Sequence, residues 1–387
     1  MTDEQNLAHN NKRLQQRPAL TGEWRPEGFA AADTAMGSSI AAIGADDVHA
    51  IVPGLDLWDC WPLAHPDGRT AEVDGRQFWF FLSSAQFADP VERHGHARIR
   101  LLSRGVDGWR DHGNALPDGL NPGSREWAGS AVLESDGRVT LYYTVAGQRG
   151  EAVLTVEQRL FAVEGRLSAD GVGDWAEPAE LVRADERRYV RPGGVDGGVP
   201  GTIKAFRDPF FFRDPVTGLE HIVFTASAGW SDDPHNGMIG LATRSATGWE
   251  LGDPLIDAVG VNNELERAQA HYRGGRYYLL WSTQAHTFSP KGAAGPNGLY
   301  GMVGDTLHGP WRPVNGSGLI AANPADEPGQ SYSWVVTGED EVWSFIDYWG
   351  LAGRRTTVHP ELLRAQFGGT AAPVFGLAFD GDCVTVR

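Results

Sequence analysis

Short apolar runs recur along the whole chain. Gln77 to Leu82, Val139 to Val145, His221 to Thr225, Arg276 to Ser282 and Glu341 to Ile346 are rich in Phe, Tyr, Trp, Val or Ile. Gly, Pro, Asp or Asn lie near each run, the pattern of strands punctuated by turns. In LESDGRVTLYY, Asp136-Gly137 separates two such runs, and in YRGGRYYLLW Gly274-Gly275 does the same. These dipeptides supply the positive φ that a two-residue hairpin loop requires. Amphipathic helical stretches are scarce, and residues 361–367 predict one short helix. The pattern therefore predicts an all-β fold. Hairpins at wide, even spacing suit radial repetition, and a propeller of about five four-stranded blades would use this length. A pair of β-sandwiches is the alternative, and no exact sequence repeat chooses between them.

Composition narrows the function classes. Of 387 residues, 41 % are hydrophobic, enough for a sizeable core, and Gly 50, Pro 23 and Trp 14 fit many short strands and tight turns. Residues 1–20 predict a flexible tail, and no linker divides 21–387, so one catalytic domain is expected. The net charge of −17, from 50 acidic and 33 basic residues, argues against nucleic acid or an anionic membrane as partner. The two cysteines, Cys60 and Cys383, make neither a disulfide framework nor a CxxC site. Met1 to Arg17 lacks the apolar core of a signal peptide, and no apolar run is long enough to span a bilayer. The location expected is extracellular or periplasmic by a route without a cleaved signal, or cytoplasmic.

Three acidic motifs carry candidate chemistry. In LWDCWPL, Asp59 sits among Trp58, Cys60 and Trp61. A carboxylate among aromatics is costly to bury unless paired or functional, and Trp faces stack on sugar rings; a strand-end Asp capping a turn would look the same. In FRDPFFF, Arg207 and Asp208 precede Pro209, which biases Asp208 to extended backbone. An ordinary Arg–Asp pair at a strand entrance reads identically. In NNELERAQ, Glu264 and Glu266 share one face if the segment is extended. Like charges on one face raise the pKa of at least one, as a general acid near neutral pH requires; an exposed acidic turn is the plainer reading. Two carboxyl groups flanking a glycosidic bond are the core of glycoside hydrolysis, and a third can stabilise positive charge on the ring.

Taken together, the motifs resemble those of the levansucrase-type enzymes of glycoside hydrolase family 68, a family of levansucrases, inulosucrases and β-fructofuranosidases. The resemblance runs from about residue 40 to the C-terminus, with WDCWP, EWAGSA, FRDP, ELER and QSYSW in the family's order. It implies a five-bladed β-propeller with a central acidic pocket. It also implies a retaining enzyme that cleaves sucrose and passes fructose to sugar acceptors or water. By resemblance Asp59 is the nucleophile, Asp208 the transition-state stabiliser and Glu266 the acid/base. Trp58, Trp127 and Arg207 match the fructose subsite, and Glu264, His286 and Tyr332 the glucose or acceptor subsite. On this reading Asp59 stays ionised beside hydrogen-bond donors, while Glu266 is kept protonated by Asp59 and Glu264.

Several positions depart from the pattern. Ala128 stands where many members carry a Ser that donates to the nucleophile, and Cys60 replaces a small hydroxyl residue. Asn263 stands where calcium-binding members carry Asp, and losing that anionic ligand argues against a metal. Asn263 and His286 both resemble the Gram-negative branch. No cofactor is implied. Pro192 to Gly201 is Gly-rich without GxGxxG or GK[ST], so it predicts a plain loop. His94 and His96 form a lone HxH read as surface loop, and Ser231 to Gly237 is read as a turn rather than a cation site at Asp232 and Asp233. HExxH and GxSxG do not occur. The competing readings are an invertase-like hydrolase, a furanosidase acting on arabinose polymers, and a non-catalytic sugar-binding propeller.

Overall fold

The five apolar runs each form a strand, and each is the second strand of its own blade. The computed structural model describes residues 18, 20–25, 38–168, 170–194 and 203–387. The expected tail lies almost wholly outside these residues, as do positions 195–201 of the Gly-rich segment.

The first blade runs Leu55–Ala64, Arg76–Ala85, Arg98–Gly105 and Gly108–Asn114, and the second Arg125–Leu133, Arg138–Ala146, Gln158–Ser168 and Ala179–Glu180. A parallel contact between their first strands, Leu63 with Ala131 and Ala64 with Val132, joins them into one sheet. The other blades begin with Phe206–Arg213, Glu266–Arg273 and Ser331–Val336, each followed by an antiparallel meander. The first strands touch one another in a ring around the central axis. The architecture is thus the five-bladed propeller, not a sandwich pair.

The second strands are buried along nearly their whole length, for example Tyr277 to Thr283 within Arg276–Thr283. A strand covered on both faces needs a continuous apolar run rather than alternation. Both hairpins form as expected. Gly274 and Gly275 have φ of 56° and 82° between paired Arg273 and Arg276, a left-handed turn that residues with a Cβ resist. The predicted helix is Leu362–Ala365. Large side chains fill the gaps between blades. Where blade five closes on blade one, the Trp79 and Trp343 rings lie 4.1 Å apart, and Arg364 meets buried Asp56 at 2.7 Å. An aromatic pair of this kind contributes ~1 kcal/mol beyond its buried area.

Every first strand breaks register at the same level. The shifts fall at Trp58/Trp61, Trp127/Gly129, Arg207/Phe210, Glu266/Gln269 and Tyr332/Val335. In four of them a non-glycine residue adopts positive φ: Asp59 (44°), Asp208 (60°), Arg267 (53°) and Ser333 (62°). Bulges re-aim side chains and cluster at active sites, where such backbone costs about 1–3 kcal/mol each. The candidate acids lie at these bulges or immediately before them. Toward the other end of the same strands is a separate cavity of about 210 Å³, lined by Trp61, Val132, Phe210, Phe212, His271 and Val335 among others. No described helix is long and apolar enough to cross a membrane.

Candidate active site

Arg207 is the hub of the site. It is buried at the start of the third blade, with Nη2 2.9 Å from Glu266 Oε1 and 3.5 Å from Glu264 Oε1. Its Nε lies 3.4 Å from Asp208 Oδ2. One guanidinium thus gathers three of the acids picked out in the sequence, as its planar fork of donors allows. Asp208 is held from two sides. Its amide donates to Thr144 Oγ1 at 2.8 Å, and Thr225 Oγ1 donates to its Oδ2 at 2.9 Å. Burial pushes the Asp208 carboxyl up to about 6 against the pull of Arg207.

Asp59 stands on the first blade within electrostatic reach of Glu266 and Asp208. Burial raises its pKa. Arg267 and a hydrogen bond from the Ser333 hydroxyl pull it back, and the Glu266 charge adds to the rise. Arg267 is itself fixed, with Nη1 3.1 Å from Ser333 Oγ, Nη2 3.0 Å from the Cys60 carbonyl, and its guanidinium over Trp61. The donors expected beside Asp59 therefore come from Ser333 and Arg267, in the absence of a hydroxyl at Ala128. The neighbouring Cys60 thiol is pushed up to about 12 by burial and stays protonated.

Glu264 and Glu266 do share one face, but their protons are placed the other way round from expectation. Burial pushes Glu264 up to about 7, with the Glu266 and Asp208 charges adding to the rise. Burial also acts on Glu266, yet Arg207, the Tyr332 hydroxyl at 2.6 Å and Arg267 together outweigh it and hold Glu266 below the ordinary range. Without substrate the pair's proton sits on Glu264, because the better donors point at Glu266.

The remaining expected residues surround this cluster. Trp58 is buried with the Arg93 guanidinium 5.4 Å over its ring. Trp127 is half-buried beneath Arg125, and its indole nitrogen has no partner among the described residues. Tyr332 is buried and bonded to Glu266. His286 lies exposed on the short Ala285–Thr287 turn, within electrostatic reach of Glu266.

Residues 29–237 and 230–387 match glycoside hydrolase family 68, described as levansucrase/invertase. The chain belongs to this family. It is 31 % identical over 370 residues to levansucrase LscA of Pseudomonas savastanoi pv. glycinea, covering 84 % of each chain. It is 29 % identical over 366 residues to the extracellular sucrase of Zymomonas mobilis, covering 84 % of this chain and 83 % of that one. The inulosucrase from Halalkalicoccus jeotgali, solved bound to kestose, superposes with a TM-score of 0.81 at 38 % identity, covering 90 % of this chain and 91 % of the other.

Four residues of this family 68 chain were not picked out as site residues from sequence. Ser333 lies within the QSYSW motif, where its neighbour Tyr332 is the more conspicuous side chain. Arg267 lies next to Glu266, whose carboxylate dominates that motif. His94, read as surface loop, is exposed but stands edge-on to Trp58 at 6.1 Å and within electrostatic reach of Glu266. Asp347 follows Ile346 at the end of a predicted strand. Burial raises it to about 6, with Arg93 opposing and Asp59 adding. Nothing in its local sequence marks it. Among the described residues no group of three or more His, Cys, Asp or Glu is placed to hold a metal.

Proposed function

We propose that this chain is a retaining fructosyltransferase in which Asp59 attacks C2 of the fructosyl unit of sucrose. The C2–oxygen bond to glucose breaks as Glu266 gives its proton to the leaving oxygen. Asp208, locked by Thr225 and Thr144, accepts hydrogen bonds from fructosyl hydroxyls and stabilises the oxocarbenium-like state. Glu266 then takes the proton of an acceptor hydroxyl or of water, whose oxygen attacks C2 and releases Asp59. The observation that carries this reading is that Asp59, Asp208 and Glu266 come from three different blades to one level of one axis.

The proton must reach Glu266 before the first step. Glu264 lies against the same guanidinium and titrates near neutrality. Sucrose hydroxyls that draw Arg207 or Tyr332 away from Glu266 would move the pair's single proton onto it. Trp58, Trp127 and Arg207 shape the fructose subsite, and Glu264, His286 and Tyr332 the glucose or acceptor subsite. Action outside the cell fits the likeness to the extracellular sucrase of Zymomonas mobilis.

Incubation with sucrose and chromatography of all products tests the reading. Glucose is expected in excess over fructose, the difference being fructose passed to acceptors. Equal release would leave a hydrolase, and no reaction would defeat the assignment. Linkage analysis of the larger products separates levan-type from inulin-type transfer.

A further inference from the structure

The chain holds three lysines among its 33 basic residues, and of the two that are described Lys204 is half-buried between blades while Lys291 is exposed. Its ammonium donates to the Pro234 carbonyl at 2.5 Å, Asn236 Oδ1 at 2.6 Å and Asn263 Oδ1 at 2.8 Å. Three converging oxygens match the three N–H donors of an ammonium and not the planar fork of Arg. The turn at Ser231 to Gly237 does therefore serve a cation. The cation belongs to the chain, and a carbonyl and an amide hold it rather than Asp232 and Asp233.

The bridge joins the two segments whose side chains meet at the site. Lys204 lies three residues before Arg207 on the approach to the third blade, and Asn263 immediately precedes Glu264 on the approach to the fourth. Asn263 Nδ2 returns a bond to the Ile203 carbonyl at 3.0 Å, and its amide donates to Thr287 at 3.0 Å. Asn262 Oδ1 accepts from the Glu264 amide at 2.7 Å and Thr287 Oγ1 at 3.0 Å. Asn236, Asn262 and Asn263 are all buried. Lys204, on the first approach, thus reaches Asn263 on the second with a full charge, beside the contact of Arg207 with Glu264 in the site itself.

We infer that Lys204 is a positioning residue for the acid/base pair, fixing Glu264 against Arg207 and supplying a positive charge that keeps the pair from binding its proton too tightly. The inference rests on the proposed function. Other charged or titratable groups facing Glu264 are Arg207 and Asp208 from the third blade, Glu266 from its own strand and Tyr332 from the fifth. Asp59, Arg267, His94 and His286 act on Glu266, and Asp233 faces Lys204. Glu264 and Lys204 also act on each other electrostatically.

The test is the pH dependence of kcat/KM for sucrose in the wild type, Lys204→Met, Lys204→Gln and Lys204→Arg. Wild-type turnover checks the proposed function first and separately. Removing the charge should move the alkaline limb, where the pair loses its proton, upward by about half a pH unit or more. Lys204→Gln keeps donors for two of the three oxygens and tests the charge should the Met variant fail to fold. Lys204→Arg keeps the charge but cannot serve three convergent acceptors, so it should leave the limb near its wild-type position with kcat reduced severalfold. An unmoved limb in both uncharged variants, with activity falling only in step with thermal stability, would overturn the inference. So would an Arg variant as active as the wild type.

Discussion

The Tyr332 hydroxyl donates to Glu266 Oε2 across 2.6 Å while Arg207 holds the other oxygen of the same carboxylate at 2.9 Å. These two bonds are why a buried glutamate sits below its ordinary pKa while its neighbour Glu264 is raised to about 7. A hydrogen bond to a charged group contributes about 1.5–3 kcal/mol, or roughly one pKa unit or more. Tyr332→Phe should therefore shift the alkaline limb of kcat/KM for sucrose upward by about one pH unit. A profile that keeps its wild-type position would mean that Tyr332 does not set the charge on Glu266.

The parts of the fold legible in the sequence are those whose apolar pattern is uninterrupted. The five runs that predicted strands are the second strands of the five blades, sandwiched and continuous. The first strands did not read as strands. Asp59, Asp208, Arg267 and Ser333 interrupt them at left-handed bulges, so each appeared as a motif instead. That same interruption makes a first strand chemically informative, and the carboxylates were found through it. The distribution of protons was not legible, because it depends on which donor reaches which oxygen. Glu264 and Glu266 look equivalent along the strand, and what distinguishes them is the closer approach of Arg207 to Glu266 and the hydroxyl of Tyr332, 66 residues later.

Asp59 carries the sharpest expectation. Asp59→Asn should lower kcat by at least about 10⁴-fold while sucrose still binds, since the amide cannot form the glycosyl ester. Calorimetry on the variant checks the binding. Ser333→Ala makes a subtler case. Loss of its hydroxyl removes a donor to the ionised form, so the Asp59 pKa rises further. The acidic limb of kcat/KM, below which Asp59 is protonated, should then move to higher pH by about half a unit. An unshifted acidic limb would mean that the Ser333 hydroxyl does not set the charge on Asp59.

Glu264 should weaken the fold as pH rises. Its folded value of about 7 lies above the ordinary 4.5, so between these values the native state keeps a proton that the unfolded chain has lost. Stability therefore falls through that window, and above it the cost of burying the charge is complete, about 3 kcal/mol. Glu264→Gln should raise the melting temperature by a few degrees at pH 8 and change it little at pH 4.5. Glu126, raised to about 7, and Asp208 and Asp347, raised to about 6, slope the same way, so the variant should flatten the dependence without abolishing it. Equal effects at both pH values would show that Glu264 acts by packing and not by its charge.

Two glycines on the Gly237–Ser245 strand separate site geometry from core packing. A Cβ at Gly237 would lie 2.7 Å from the carbonyl carbon and oxygen of Asn263, whose amide is tied to the Thr287 carbonyl and whose side chain is tied to Ile203, so that it cannot retreat freely. A Cβ at Gly240 would meet the Phe224 ring at 2.2 Å within the apolar core, in contact with no site residue's backbone. Each substitution overpacks its site at a cost of about 1–3 kcal/mol. They should differ in catalysis. Gly237→Ala pushes on the residue before Glu264 and should reduce kcat/KM about tenfold or more by misplacing the carboxylate against Arg207. Gly240→Ala should melt earlier yet retain wild-type kcat/KM below its melting range. Equal kinetic losses in the two variants would mean that the Asn263 backbone has no special hold on the site.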